Sequence, residues 1–305
     1  MRALAEWVMH GPIQARIATV VLVSFPLLFA GLEAGTARVM VGFAATALVA
    51  LSAAAVGLVT LNKGPANGAG LLAWALLPCA VWFVWREESS PLILLVSTTL
   101  LATVLRSTAS WSRTLMVATA AAVLISALLG FLVPQTAFEL RELSQQLEQA
   151  LVGNDPQLAD LVSPEALYEI LLGGLVAGHL GSALTSLVIA RWWQAMLYNP
   201  GGLRKEFHQL RLPPLFAALA LVILIAGGSL SQELLRMLPV VILPLMVAGV
   251  ALVHGVVAKR ELGRSWLVAF YVATFVAGPY LISLLILVAV ADSLVDIRKR
   301  LKAKS

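Results

Sequence analysis

Residues 265 to 297 read SWLVAFYVATFVAGPYLISLLILVAVADSLVDI, and how this run crosses a membrane decides the fold. A spanning helix needs about 20 mostly apolar residues, so the run is too long for one crossing and short for two. Gly278-Pro279 interrupts it. Pro279 removes a backbone donor and disfavours helix at the residue before it. Two short helices in a hairpin, or a single kinked one, both satisfy the apolar pattern.

Outward from this run, apolar segments recur at 13 to 32, 38 to 61, 69 to 85, 91 to 108, 112 to 133, 166 to 192, 213 to 228 and 238 to 258. With the N-terminus inside and every segment spanning, the cytoplasmic side collects Arg2, Arg16, Lys63, Arg106, Arg113, Arg191, Arg204, Lys205, Arg211, Lys259, Arg260 and Arg264. The other side receives Arg38, Arg86, Arg141 and Arg236. A single last crossing sends Arg298, Lys299, Arg300, Lys302 and Lys304 outside, giving twelve basic residues inside against nine; a hairpin keeps them inside, giving seventeen against four. Basic residues in short loops set orientation, so the hairpin is expected. The fold class is then all-α: a polytopic transmembrane bundle of about ten segments, nine if the last is one kinked crossing. Both termini are expected in the cytoplasm, the chain forming one integral membrane domain, 1 to 305.

Composition agrees, with 60% hydrophobic and 12% charged residues against roughly 25% charged in soluble domains. Mean hydropathy is +0.92. A net charge of +5 would suit nucleic acid on a soluble protein. Here the cations gather on one side of a bilayer, and no nucleic-acid partner is expected. Cys79 stands alone in LLAWALLPCAVWFVW, with neither a pairing cysteine nor metal-ligand neighbours, and reads as packing. At the N-terminus, Arg2 and an apolar stretch ending near AGLEAGTA loosely fit a signal peptide. Arg16 and Pro26 interrupt that pattern, which favours an uncleaved first helix.

Two polar pieces stand out. Residues 134 to 169 form an extracytoplasmic loop in which Phe138, Leu143, Leu147 and Leu151 fall near a helical period, predicting an amphipathic helix over 138 to 152 that Gly153-Asn154 stops. Asp155-Pro156 and Ser163-Pro164 mark two further helix starts. The loop reads as a helical cap or as a lid over an outward cavity. Residues 199 to 212 combine the turn NPGG with GGLRKEFHQLRL, where Leu203, Phe207 and Leu210 share a face and Arg204, Lys205, His208 and Arg211 occupy the rest. That suits a short helix in the headgroup layer, or a coupling surface for a membrane or cytoplasmic partner at the basic face.

Small residues every fourth position, Gly42, Thr46, Ala50 and Ala54, then Gly174, Gly178 and Ser182, predict helix seams. Ionisable groups at membrane depth are costly. His179 is the best placed for a pathway near the midplane, with a hydrogen-bonded packing histidine as the plainer reading. His254 sits one turn from a helix end, and Asp292 and Asp296 stand beside Arg298, Lys299 and Arg300, as a salt-bridged helix end would. No HExxH or GK[ST] motif occurs. Neither a catalytic residue, a metal site nor a cofactor is therefore expected, and the chain does not read as an enzyme.

The stretch ARWWQAMLYNPGG, 190 to 202, leaves an apolar helix through polar and aromatic residues. Arg191, Trp192 and Trp193 read as interfacial anchors. Gln194 and Tyr198 are what anchoring does not require. Candidate ligand or coupling residues are therefore His179, Arg191, Trp192, Trp193, Gln194, Tyr198 and Asn199.

IARWWQAMLYNPGGLRKEFHQLRL, 189 to 212, and GPYLISLLILVAVADSLVDIRKRL, 278 to 301, resemble the YybS-like family of bacterial membrane proteins of unsettled activity. That family is in turn distantly similar to the substrate-capture subunits of energy-coupling-factor vitamin transporters, helical bundles without ATPase motifs and usually of about six segments. The resemblance implies a small-molecule-binding or transport-related subunit lacking its own ATPase. The alternative is a non-transporting scaffold or assembly factor holding other membrane or cytoplasmic proteins.

Overall fold

The computed structural model describes residues 1–26, 36–155, 157 and 163–301, without the side chains of 36–41 and 86. The described residues hold no strand. Helices α1 (Arg2–His10) and α2 (Pro12–Ser24) are followed by α3 (Thr36–Lys63), α4 (Pro65–Arg86), α5 (Ser90–Thr108), α6 (Trp111–Leu132) and α7 (Pro134–Asn154). Then come α8 (Pro164–Tyr198), α9 (Gly202–Gln209), α10 (Pro214–Leu230), a 3-10 turn at Gln232–Arg236, α11 (Met237–Lys259), α12 (Arg264–Val295) and α13 (Ile297–Arg300). Proline opens α2, α4, α7, α8 and α10, where its missing N–H costs nothing and its fixed φ suits a first turn. Among the described residues, seven helices are long and apolar enough to cross a membrane, or eight if α9 and α10, bent by 63°, make one span. By length and composition these helices suit a membrane protein.

Expected boundaries hold to within a few residues for α3, α5, α6, α10 and α11. Helix α8 runs further than expected, to Tyr198, and α7 begins at Pro134 rather than at 138. The Ser163 hydroxyl accepts from Ala166 N–H at 3.1 Å and caps α8 as its sequence suggests. The helix start expected at Pro156 and most of AGLEAGTA lie outside the described residues. The chain divides into two compact units, Met1–Thr114 with His179–Arg204, and Leu115–Gly178 with Lys205–Ser305.

In the first unit the core is the second half of α3, buried from Ser52 through Leu61 and packed on α2, α4 and α5. A Cβ at Gly57 would lie 3.0 Å from the Ala190 Cβ and 3.5 Å from Thr98 Cγ2. Glycine there lets α3, α5 and α8 approach closely. The expected stripe is corrected: Gly42 and Thr46 are exposed, because α3 packs along its later turns. Ser52 Oγ donates to the Thr19 carbonyl at 3.0 Å, and Trp82 Nε1 to the Val23 carbonyl at 3.1 Å, tying α2 to α3 and α4. Cys79 is buried and its thiol donates to the Ala75 carbonyl, which fits a packing role.

In the second unit the seam expected at Gly174 and Gly178 is also corrected, since both are exposed. The close approach falls one residue earlier, where Gly173 lies against the Arg236 carbonyl with no room for a Cβ. Arg236 itself turns on Glu169, with Nε to Oε2 at 2.5 Å and Nη2 to Oε1 at 2.8 Å. Its Nη1 also donates to the Ser126 carbonyl at 3.4 Å. One bidentate pair thereby joins α6, α8 and the turn before α11.

Helix α12 reverses direction at Gly278, whose φ of 41° and ψ of −115° are not helical. His254 Nε2 lies 2.8 Å from the Tyr271 hydroxyl, while the neighbouring Gly255 packs on Arg298. At about 1.5 Å per residue, a straight helix would hold Tyr271 and Arg298 about 40 Å apart. Three side chains cannot reach across that gap from two adjacent residues, so the arms 264–277 and 279–295 fold back on each other. Arg298 and Lys299 consequently lie at the same end of this unit as Arg211 and Lys259.

Removing one partner of a largely buried ion pair typically costs about 3–5 kcal/mol. Glu169→Ala and Arg236→Ala should each lower stability by about that much, and the double variant should lose less than the two together, as measured by denaturant titration in mixed micelles.

Candidate functional site

The polar end of α8 is built around one carbonyl of α3. In a helix, Leu61 C=O would accept from the N–H of residue 65, but that residue is Pro65 and has none. Arg106 Nη1, from α5, donates to this oxygen instead, and Gln194 Nε2, from α8, adds a second bond at 3.3 Å. Gln194 Oε1 in turn accepts from Arg191 Nη1 at 2.6 Å. Gly64, at φ +97°, turns the chain beneath Arg106. Gln194 and Arg191 therefore complete a helix end.

The structure separates the expected candidates. Trp193 is 0% exposed, so it packs inside the first unit and the anchor reading is corrected for it. Its Nε1 and the buried Thr98 hydroxyl find no partner among the described residues. Trp192, the residue before it, is 42% exposed. Tyr198 is 55% exposed and Asn199 is exposed, with the Asn199 carbonyl accepting from Gly202 N–H at 2.9 Å to close the turn. Gly201 takes φ +83°, the left-handed conformation that the NPGG stretch predicts.

His179 stands away from all of these. From Ala190, level with Thr98, His179 lies about 16 Å up α8, while the first residue of α5, Ser90, is about 12 Å up from Thr98. Glu88, before α5, is the charge that acts on His179. This histidine is thus level with the first turn of α5.

Sequence reasoning missed a second construction, in the second unit. Arg211, just past α9, donates from Nε to the Asp292 carbonyl at 2.9 Å and from Nη2 to the Ser293 carbonyl at 2.8 Å, the end of α12. Arg298, just past α12, donates to the His208 and Leu210 carbonyls at 2.7 and 2.6 Å, the end of α9. Each arginine closes the other's helix. The aspartates read as a salt-bridged helix end do that work: Asp292 lies 3.3 Å from Arg298, and Asp296 3.0 Å from both Arg211 and Lys299. Burial pushes the Arg298 guanidinium down from its ordinary value, and Asp292 and Asp296 push it back up. Beside the clasp, the His254 ring meets Phe207 edge-on at 5.5 Å and lies 6.4 Å from the His208 ring. No group of three metal-ligand side chains occurs among the described residues.

No family model matches the sequence, and no curated protein or solved structure does.

Gln194→Ala should lower thermal stability, by about 1 kcal/mol for the lost hydrogen bonds, whereas Tyr198→Ala should leave melting unchanged; differential scanning fluorimetry on both variants reads the contrast. The hydrogen bond from Lys299, with Arg211 nearby, holds the Asp296 carboxyl below its usual range. Its contribution is therefore full above an unfolded aspartate value of about 4 and is lost as pH falls through the lower folded value. A nitroxide attached near residue 300 should gain mobility only below about pH 4, and the Asp296→Asn variant should be mobile at all pH.

Proposed function

We propose that the chain is a multi-pass protein of the bacterial cytoplasmic membrane, with ten membrane segments and both termini cytoplasmic. It binds a small molecule, or takes part in moving one, without an ATPase of its own, as its resemblance to the YybS-like family implies. The observation that carries this reading is the reversal of α12 at Gly278. Its arms of about 21 and 26 Å are short for a hydrocarbon core of about 30 Å. Interrupted apolar helices are a recurrent way of bringing backbone polar groups to a binding site at depth. The 63° break between α9 and α10 adds a second interruption in the same unit. The return of Arg298, Lys299 and Arg300 to the end that carries Arg211 and Lys259 supports the orientation in which seventeen basic residues face the cytoplasm and four do not.

One observation favours the scaffold alternative, in which the basic face holds another membrane or cytoplasmic protein. Gln194, one of the two residues that anchoring does not require, is engaged with Arg191 in an internal helix closure.

Protein purified in nanodiscs should release a copurifying small molecule detectable by mass spectrometry, and readdition of that molecule should raise the melting temperature. Gly278→Ala, which has space for a methyl but a backbone that L residues rarely adopt, should weaken binding. Consistent absence of a ligand, together with a stoichiometric crosslinked protein partner, would decide for the scaffold. Lys299→Cys should react with membrane-impermeant maleimide only from the cytoplasmic side.

A further inference from the structure

We infer that α7 is an interfacial helix whose leucine stripe inserts into the outer leaflet, its occupant being the lipid surface. The inference rests on the membrane reading above. Only Val133 separates the end of α6 from Pro134, so α7 starts at the depth where a spanning helix stops. Exposed apolar surface is already continuous there, through Phe131, Leu132 and Val133.

At about 100° per residue, Leu140, Leu143, Leu147 and Leu151 form one arc of α7, with Ala137 and Ser144 along one edge. The protein covers that edge. Ala137 and Ser144 are buried, and the Arg141 guanidinium sits 4.6 Å over the Tyr168 ring of α8. Leu143, Leu147 and Leu151 remain between 36% and 41% exposed. The apolar arc is thus wider than the covered arc, and the uncovered strip runs along most of the helix. Phe138 does not belong to it: it projects from the opposite face, a correction to the sequence pattern. Gln145, Gln149 and Glu142 share that opposite face, as an interfacial helix requires.

The charge of the helix says which lipid property matters. Glu139, Glu142 and Glu148 outnumber Arg141, so anionic headgroups offer no attraction and insertion draws on apolar burial alone. It should be indifferent to salt and to anionic lipid.

The test places nitroxides in a Cys79→Ala background, at Leu143→Cys, Leu147→Cys and Leu151→Cys, at Glu142→Cys, Gln145→Cys and Gln149→Cys, and at Ile225→Cys of α10. Full-length protein is reconstituted in phosphatidylcholine vesicles with and without phosphatidylglycerol. Collisions with oxygen should exceed those with a water-soluble nickel chelate severalfold at the three leucine positions, and the order should reverse at the three polar ones, unchanged by phosphatidylglycerol or salt. Leucine positions that favour nickel lie in water, and positions shielded from both reagents lie under protein, as in a lid or a partner contact. Either result overturns the inference. If Ile225→Cys, on an exposed apolar face, also fails to favour oxygen, the membrane reading itself falls.

Discussion

A carbonyl without an N–H to accept from is the constraint on which this structure turns. Every helix ends with unpaired C=O groups, and lipid supplies no water to satisfy them. Proline makes the shortage worse wherever it opens the next helix. Pro65 strips Leu61 of its donor, and Pro213-Pro214 remove the donors that Gln209 and Leu210 would otherwise have met. The chain answers with side chains from elsewhere: Arg106 and Gln194 on Leu61, Arg298 on His208 and Leu210, and Arg211 on Ser293.

This explains why arginine takes most of these positions, with Lys259 on the Arg298 carbonyl as a lysine beside them. Guanidinium carries five donors in a rigid fork, so Arg211 can serve two carbonyls and a carboxylate together. Lysine offers a point charge on a flexible stem, and Lys299 remains at the exposed rim on Asp296. In a chain with few charges, Arg106, Arg211 and Arg298 are thereby occupied with holding helix ends.

The spans were legible in the sequence because apolar length and a leading proline are local signals, as at Pro65, Pro134 and Pro164. Gly278-Pro279 was legible as a break. That it reverses the chain follows only from His254 and Gly255 touching its two arms. Pairings across distance were not legible. Glu169 and Arg236 are separated by 67 positions, and nothing local selects Gly173 over Gly174 as the point of close approach. Of two adjacent tryptophans, Trp192 and Trp193, helix rotation against α3 decides which is buried, and that rotation is a tertiary fact. The role of Gln194 could have been found: a proline four residues past a helical carbonyl announces an orphan acceptor, though not its donor.

The reciprocal clasp also sets an order of events during synthesis. His208 leaves the ribosome 90 residues before Arg298, an interval of about 5 to 20 s at the usual elongation rates. Throughout that time the carbonyls at the end of α9 can be satisfied only by water. The segment must therefore wait at the aqueous boundary, half assembled, until the distant arginine arrives and dehydrates it, so the closing of this corner is a late and long-range step in the protein's biogenesis.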